Sequence, residues 1–398
     1  MKILTQVNSL KNKKLLKIVK NLSFHCAKLY NVGLYSVREY YKLNNQYLCY
    51  AKNYHVCKTN ENYKYLLTDI GQQILRMVER DMKSYFALLK TKQKGKYSEK
   101  VRLPNFKGSA MVISIPGRSC RIKGKKIYIG LTKIFREKYQ IKYNNLILDL
   151  PKNVTGKLRE VRFVPSSSGK YFEINYIYEQ GESPKVNGNN SLGIDFGVNN
   201  FAACFNSTGE NFLLDGRRIK SINQLYNKIV SKTLPRSRKR ERQTLKRKYR
   251  INDIFNKYVN FLVKYCIKNG ITTIVYGELK KQKINIGKVN NQNFCFIPYG
   301  IFIQKLKSKC AQYGIEIHLQ DESYSSKCSF LDNEEVCKHD SYMGKRIYRG
   351  LFRTSSGKLI SADSNSAANI LAKFYQSKHR AFSRVSSGFV TNPILVRA

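Results

Sequence analysis

The sequence predicts a multidomain α+β protein, because its hydrophobic pattern falls into three regimes along 398 residues. Apolar positions repeat at helical spacing up to about residue 100, alternate in short runs over 101–185, and mix both periods from 186 onward. A chain of this length can bury more than one core.

The opening "MKILTQV" alternates as a strand. "KLLKIVKNLSFHCAKLYNVGLYSVREYYKL" then reads as one helix, or as two with a break near Gly33. A further helix spans "TDIGQQILRMVERDMKSYFALLKTK", with Thr68 and Asp69 as caps. Next come "MVISIPG", "RIKGKKIYIGL", "NNLILDLP" and "LREVRFVPSSSGKYFEINYIYE", short runs set apart by Gly, Asn and Ser, with a hairpin signal at "PSSSGK". They predict a β-barrel or small sandwich, ended by the linker "GESPKVNGNN". "SLGIDFGVNNFAACFNSTGE" is a strand, a tight turn and a second strand, followed by a long charged helix interrupted near Pro235. Strand "TTIVYG", helix "YGIFIQKLKSKCAQYG", strand "IEIHLQ" and helix "SNSAANILAKFY" complete a hairpin that leads into parallel crossovers, the order of an RNase H-like fold. Residues from Ser377 are basic and Ser-rich, and are expected to be mobile without a partner.

Charge narrows the function. Lys and Arg number 73 against 26 Asp and Glu, a net +47 that repels itself unless a polyanion neutralises it. Nucleic acid is the expected partner. Beyond the rings needed for cores, 28 Tyr and 20 Phe offer faces on which unpaired bases stack. The 10 Cys are scattered, which fits reduced thiols. The first residues turn polar at once and no run of about 18 apolar residues exists, so neither a signal peptide nor a membrane span is expected. The expected location is cytoplasmic in a prokaryotic-type cell, or nuclear in a eukaryotic host.

Phosphodiester hydrolysis needs an activated water and neutralised charge on the leaving oxygen, which two divalent cations bridged by carboxylates supply. Asp195 stands inside the apolar "LGIDFG" run, where a carboxylate is costly unless it is paired or binds a cation. Asp363 starts the helix of "SADSNSAANIL", whose small residues let that helix approach the sheet. A turn role for Asp195 before Gly197, and a capping role for Asp363, are the plainer alternatives. Glu278, after "TTIVYG", and Glu322, after "IEIHLQ", end strands that share one sheet edge, so either could complete the set.

Taken together, "GIDFGVNN", "NNQNFCFIPYG", "DESYSSKCSFLD", "GKRIYRGLFRTSSGKLISADSNSAANIL" and "NPILVRA" resemble the transposon-encoded TnpB family, relatives of type V CRISPR effectors. "HCAKLYNVGLYSVREYY" and "RLPNFKG" extend the resemblance over nearly the whole chain. It implies a wedge-like β-barrel from 1–10 and 101–185, and a helical recognition lobe at 11–100. It further implies a RuvC nuclease domain over 186–376 with an insertion at about 323–361, and a basic tail at 377–398. It also implies RNA-guided cleavage of double-stranded DNA, with a guide RNA from the transposon end and Mg2+, or Mn2+, as cofactor. Asp195 and Asp363 correspond to the first and third catalytic carboxylates, and Ser366 stands where the family usually has Ala. Gly277 occupies the usual glutamate position, which puts Glu278 one residue late and facing the other way. Some relatives carry the glutamate on the later strand; Glu322 is therefore slightly favoured, and both stand.

The family usually carries a zinc ribbon of two CxxC pairs before the last catalytic Asp. Here Cys328 and Cys337, with His339 nearby, do not offer four ligands at tetrahedral spacing, so a metal-free, degenerate ribbon is expected. For nucleic acid the candidates are Arg236, Arg238, Lys239, Arg240, Lys246, Arg247, Lys248 and Arg250 in the "PRSRKRERQTLKRKYR" run, then Lys345, Arg346 and Arg349, with Arg102 and Lys107 flanking "RLPNF". The competing classes are a nuclease-inactive RNA-guided repressor, which keeps guide contacts and loses ions, and a transposase that joins DNA ends.

Overall fold

The computed structural model describes residues 2–152, 154, 156–166, 169–181, 184–235, 237–278, 288–378 and 392–398. The chain falls into two compact units, 1–181 and 182–398.

The first unit runs β1 (Lys2–Ser9), α1 (Lys13–Asn44), α2 (Tyr50–Cys57), α3 (Glu61–Lys64), α4 (Thr68–Gln93), β2 (Ile113–Pro116), β3 (Cys120–Lys123), β4 (Lys126–Gly130), α5 (Lys133–Tyr139), β5 (Asn145–Asp149), β6 (Leu158–Ser166) and β7 (Tyr171–Gln180). Helix α1 is continuous through Gly33, where a Cβ would meet Leu75 Cδ2 at 2.8 Å. The glycine marks the crossing of α1 on α4, not a break. Asp69 is not a cap; it accepts hydrogen bonds from Arg118 and Ser119. The N-cap of α4 is Leu67, without a side-chain bond.

The expected barrel is two separate antiparallel sheets among the described residues, β1-β7-β6-β2 and β3-β4-β5. The chain leaves the first sheet at Gly117, where a Cβ would lie 2.2 Å from the Leu158 carbonyl oxygen, and builds the second on its own ladder. Residues of α1, α4 and both sheets share one buried core that includes Leu22, Ile74, Ile113, Ile127 and Val161. The helical segment is thus packed into the same unit as the strands.

The second unit runs β8 (Asn190–Phe196), β9 (Asn200–Asn206), β10 (Asn211–Asp215), α6 (Arg217–Val230), α7 (Arg238–Lys268), β11 (Ile271–Gly277), α8 (Lys288–Cys295), α9 (Tyr299–Cys310), β12 (Glu316–Gln320), β13 (Lys345–Tyr348), β14 (Leu351–Arg353), β15 (Leu359–Ser361), α10 (Ala362–Ser377) and β16 (Ile394–Val396). Its main sheet has the order β12-β11-β8-β9-β10-β16. β8, β9 and β10 pair antiparallel, while β11 lies parallel to both β8 and β12. Strand alternation sends Leu192, Ile194 and Phe196 into a core with α7 and α9, and leaves Gly193 and Asp195 on the face that α10 covers. A small sheet, β13-β14-β15, precedes α10.

The tail departs from its expected mobility at its end. Residues 379–391 lie outside the described residues, but Ile394–Val396 pair in parallel with Phe212–Leu214, and the Ala398 carbonyl accepts a hydrogen bond from Arg218. An open edge on β10 offers unpaired backbone groups, which a terminal strand can take up. Among the described residues, no helix is long and apolar enough to cross a membrane.

Candidate active site and nucleic-acid surfaces

Two glycines let α10 settle onto the sheet. At Gly193 a Cβ would lie 2.4 Å from the Ala367 carbonyl oxygen, so only glycine permits this approach beside Asp195. At Gly277, on the same face, a Cβ would lie 2.9 Å from Glu322 Oε2 and 3.0 Å from Ile370 Cδ1. The volume that a side chain on residue 277 would claim is filled by the Glu322 carboxylate. Glu278 follows the last residue of β11, and its amide donates to the Gln320 carbonyl.

Asp363 sits in the first turn of α10, where capping is done by Ser361, whose hydroxyl accepts from the Ser364 amide. The Asp363 carboxylate is free for other work. Its Oδ2 accepts from Asn200 Nδ2 at 2.7 Å, and its Oδ1 from Arg346 Nη2 at 3.2 Å. The Ser366 hydroxyl folds back onto the Ala362 carbonyl. Asn200 was not singled out by sequence reasoning, although it follows Asp195 by one turn of hairpin in "GIDFGVNN".

Burial pushes the Asp195 carboxyl up to about 8, with the charges of Glu322 and Asp363 adding to the rise and Arg346 opposing it. Negative charge crowded in this way is what a divalent cation neutralises, and a set of carboxylate oxygens is the donor chemistry that Mg2+ prefers. A cleft of about 590 Å³ opens at Asp363, lined also by Asn199, Asn200, Arg217, Arg346 and Arg349. Arginines over an acidic site suit a phosphodiester: the guanidinium forks bind the phosphate while the acids hold cations.

The basic run divides on inspection. Arg238, Lys239, Lys246, Lys248 and Arg250 are exposed on the first turns of α7, and Arg240 is half-buried. Arg247 is a correction: its Nε donates to Asn223 Oδ1 at 2.7 Å, its Nη2 to the Phe296 carbonyl at 2.6 Å, and it packs over the Tyr226 and Phe296 rings. It ties α7 to Asn223 of α6 and to the Phe296 carbonyl. Arg236 lies outside the described residues. Lys345, Arg346 and Arg349 are exposed, and Arg102 is exposed as well. Lys107 is spent inside the first unit, where its amine lies 4.8 Å over the Tyr30 ring and 3.9 Å from Asp81. A basic surface that the sequence did not reveal lies in that unit. Arg76 and Arg80 of α4 and Arg159 and Arg162 of β6 line one cleft of about 480 Å³, brought together from separate stretches of chain.

In the ribbon-like segment, Cys328 Sγ, Glu334 and His339 offer donor atoms within 4.8 Å of one another. Cys337 Sγ lies 3.3 Å from His339 Nε2. Yet Glu334 already accepts from the Ser329 and Met343 amides, at 2.6 and 3.0 Å, and burial with Glu334 pushes the Cys328 thiol up to about 11. These donors can hold zinc, but the loops are already tied by the Glu334 carboxylate.

Residues 175–283 match the family described as a probable transposase, OrfB_IS605, and residues 299–370 match the Cas12f1-like TNB domain. A TnpB-like protein, ORF457, of the Acidianus two-tailed virus is 24% identical over 364 residues, which span 79% of this chain and 75% of that protein. Among solved structures, a Cas12f1–sgRNA–target DNA complex is similar with a TM-score of 0.58 at 15% identity, over 90% of this chain and 83% of that chain. At that identity the likeness is one of fold, a mixed α+β multidomain architecture.

Proposed function

We propose, on the premise that this chain is a TnpB-like protein, that it is an RNA-guided DNA endonuclease of a mobile element, cutting at a RuvC-type site made by Asp195, Glu322 and Asp363. The observation that carries the reading is that acids from three separate stretches act on one another at one sheet edge, with arginines lining the cleft beside Asp363.

Asp195, Glu322 and Asp363 would hold two Mg2+ ions, or Mn2+, which when bound supply positive charge for the leaving oxygen and for activation of water. The rest falls to the chain's own groups. Asn200 and Arg346 each hold one oxygen of Asp363 and so fix its orientation. Arg346, Arg349 and Arg217 draw the phosphodiester into the cleft. The exposed cations of α7 and the arginine cleft of the first unit grip the backbones of the guide RNA, derived from the transposon end, and of the target DNA. In such an enzyme sequence is read by base pairing and the protein reads shape. The ribbon-like segment works without zinc, its loops joined through Glu334.

The test is to purify the protein with the RNA that travels with it and offer a matching double-stranded target. Cleavage that needs the RNA and Mg2+, and that Asp195→Ala abolishes, is expected; cutting independent of RNA, or retained by that variant, overturns the reading. A guided but non-cutting repressor is favoured by one feature, Gly277 in place of a strand carboxylate. It predicts target binding with no product and no cation binding in calorimetry. A DNA-joining transposase predicts strand-transfer products from transposon ends instead.

A further inference from the structure

We propose that Lys373, acting through Asp321, is a positioning residue that holds the Glu322 carboxylate in the space left by Gly277. This inference rests on the reading of Glu322 as a metal-binding carboxylate.

Glu322 lies two residues beyond the end of β12, in a turn where its carbonyl accepts from the Ser325 amide. Helix α10 adds side-chain contacts to this turn. Lys373 Nζ donates to Asp321 Oδ2 at 2.8 Å and to the Ser323 carbonyl at 2.9 Å, so one ammonium grips the residues on both sides of Glu322. The Ser323 hydroxyl donates back to Asp321 Oδ1 at 2.9 Å and closes the turn. One turn earlier on the same helix, Asn369 Nδ2 donates to the Ser325 carbonyl at 2.8 Å. Ile370, on that face too, walls the space that Glu322 occupies against Gly277.

The consequence is geometric. Asp363 and Lys373 belong to one rigid helix, so the third carboxylate and the clasp on the second share a single frame, and α10 is itself seated on Gly193 beside the first. The lysine side chain is 19% exposed against 40% for Asp321. The two contacts flank Glu322 on either side, and that placement points to orientation as their role. Groups that orient metal-binding side chains from behind typically change cation affinity by about 10–100-fold when removed.

The test is a double-mutant cycle on the full chain with its RNA, read as the Mn2+ dissociation constant by calorimetry. Lys373→Met and Asp321→Asn are each expected to weaken Mn2+ binding by about tenfold. The double variant should be no weaker than either single one. Lys373→Arg should recover most of the loss, and RNA-guided target binding should stay unchanged. A merely structural role would lower the melting temperature and leave Mn2+ affinity alone, and that result overturns the proposal. So does additivity of the two substitutions. A second comparison covers the case of a misfolded variant. Moving the carboxylate to the strand, in Gly277→Glu with Glu322→Ala, should make Mn2+ binding indifferent to Lys373→Met; an undiminished loss in that background overturns the clasp. Failure of the endonuclease reading looks different: the wild-type complex would bind Mn2+ in the Lys373-dependent way and yet yield no cut product.

Discussion

Without added divalent cation, Asp195 is held protonated near neutrality by burial and by the charges of Glu322 and Asp363, which gives the folded protein a proton that the unfolded chain has lost. Its carboxyl is raised to about 8, against about 4 when unfolded. The stability is therefore greatest at low pH with respect to this group and falls as pH rises from about 4 to about 8. Asp195→Asn should abolish that slope and raise stability at pH 8 by on the order of 3 kcal/mol, allowing for partial solvent access. The same variant should lower cleavage by about 1,000-fold, the worth of several kcal/mol of charge stabilisation. Melting curves between pH 5 and pH 8 check the first, and a wild-type slope retained by the variant refutes it. The two glycines should separate packing from chemistry. Gly193→Ala meets the Ala367 carbonyl, which cannot yield, and should cost about 1–3 kcal/mol. Gly277→Ala meets side-chain atoms alone, Glu322 Oε2, Ile370 Cδ1 and Glu322 Cβ, so it should melt nearly as wild type but cut about 10–100-fold more slowly as Glu322 is displaced. Glu322→Gln should abolish cutting and Glu278→Gln should leave it within a few-fold. At this scale Asp195 was legible as a lone acid in an apolar run, and Asp363 as the acid opening a helix of small residues. That the Glu322 carboxylate lies against Gly277 was not legible, because it is a fact of tertiary contact.

Among the elements, the long periodic helices and alternating strands could be read from the sequence, whereas α2, α3 and β16 could not. Those are short, and what forms them is the surface they cover or the edge they complete. The basic run shows the same limit: spacing cannot tell Arg247, clamped to Asn223 and Phe296, from its exposed neighbours. The two kinds of cation should part in experiment. Arg247→Ala removes two half-buried hydrogen bonds from a charged donor and should cost about 2–3 kcal/mol of stability. Arg238→Ala with Lys239→Ala should leave melting unchanged and weaken nucleic-acid binding, with the salt slope reduced by about 1–2. Loss of binding without loss of stability in the Arg247 variant would reverse the assignment. For the ribbon-like segment, Glu334 joins the Ser329 and Met343 amides where a metal would join loops. Chelation should leave the melting temperature unmoved, and Glu334→Ala should lower stability by about 3 kcal/mol. Stoichiometric zinc, with a fall in melting on its removal, would make the Cys328, Glu334 and His339 donors a true metal centre.

For the whole molecule the decisive quantity is the net +47, which no arrangement of elements removes. With so few acids to pair, the chain alone is under self-repulsion that counter-ions relieve, so its melting temperature should rise as salt is added. The RNA-bound protein should behave in the opposite sense. Its extra stability comes from binding to the folded state, and that binding weakens as salt competes for the phosphates. A logarithmic plot of affinity against salt should fall with a slope of at least about −5, since contacts to several phosphates release several counter-ions. The two melting curves should therefore approach one another with rising salt, the free protein from below and the complex from above. If the free chain melts at one temperature across the whole salt range, the positive charge is neutralised within the fold and the polyanion argument fails. If the curves converge as expected but the associated RNA is heterogeneous, charge alone accounts for the binding, and guidance by a discrete RNA is lost while the carboxylate site still stands.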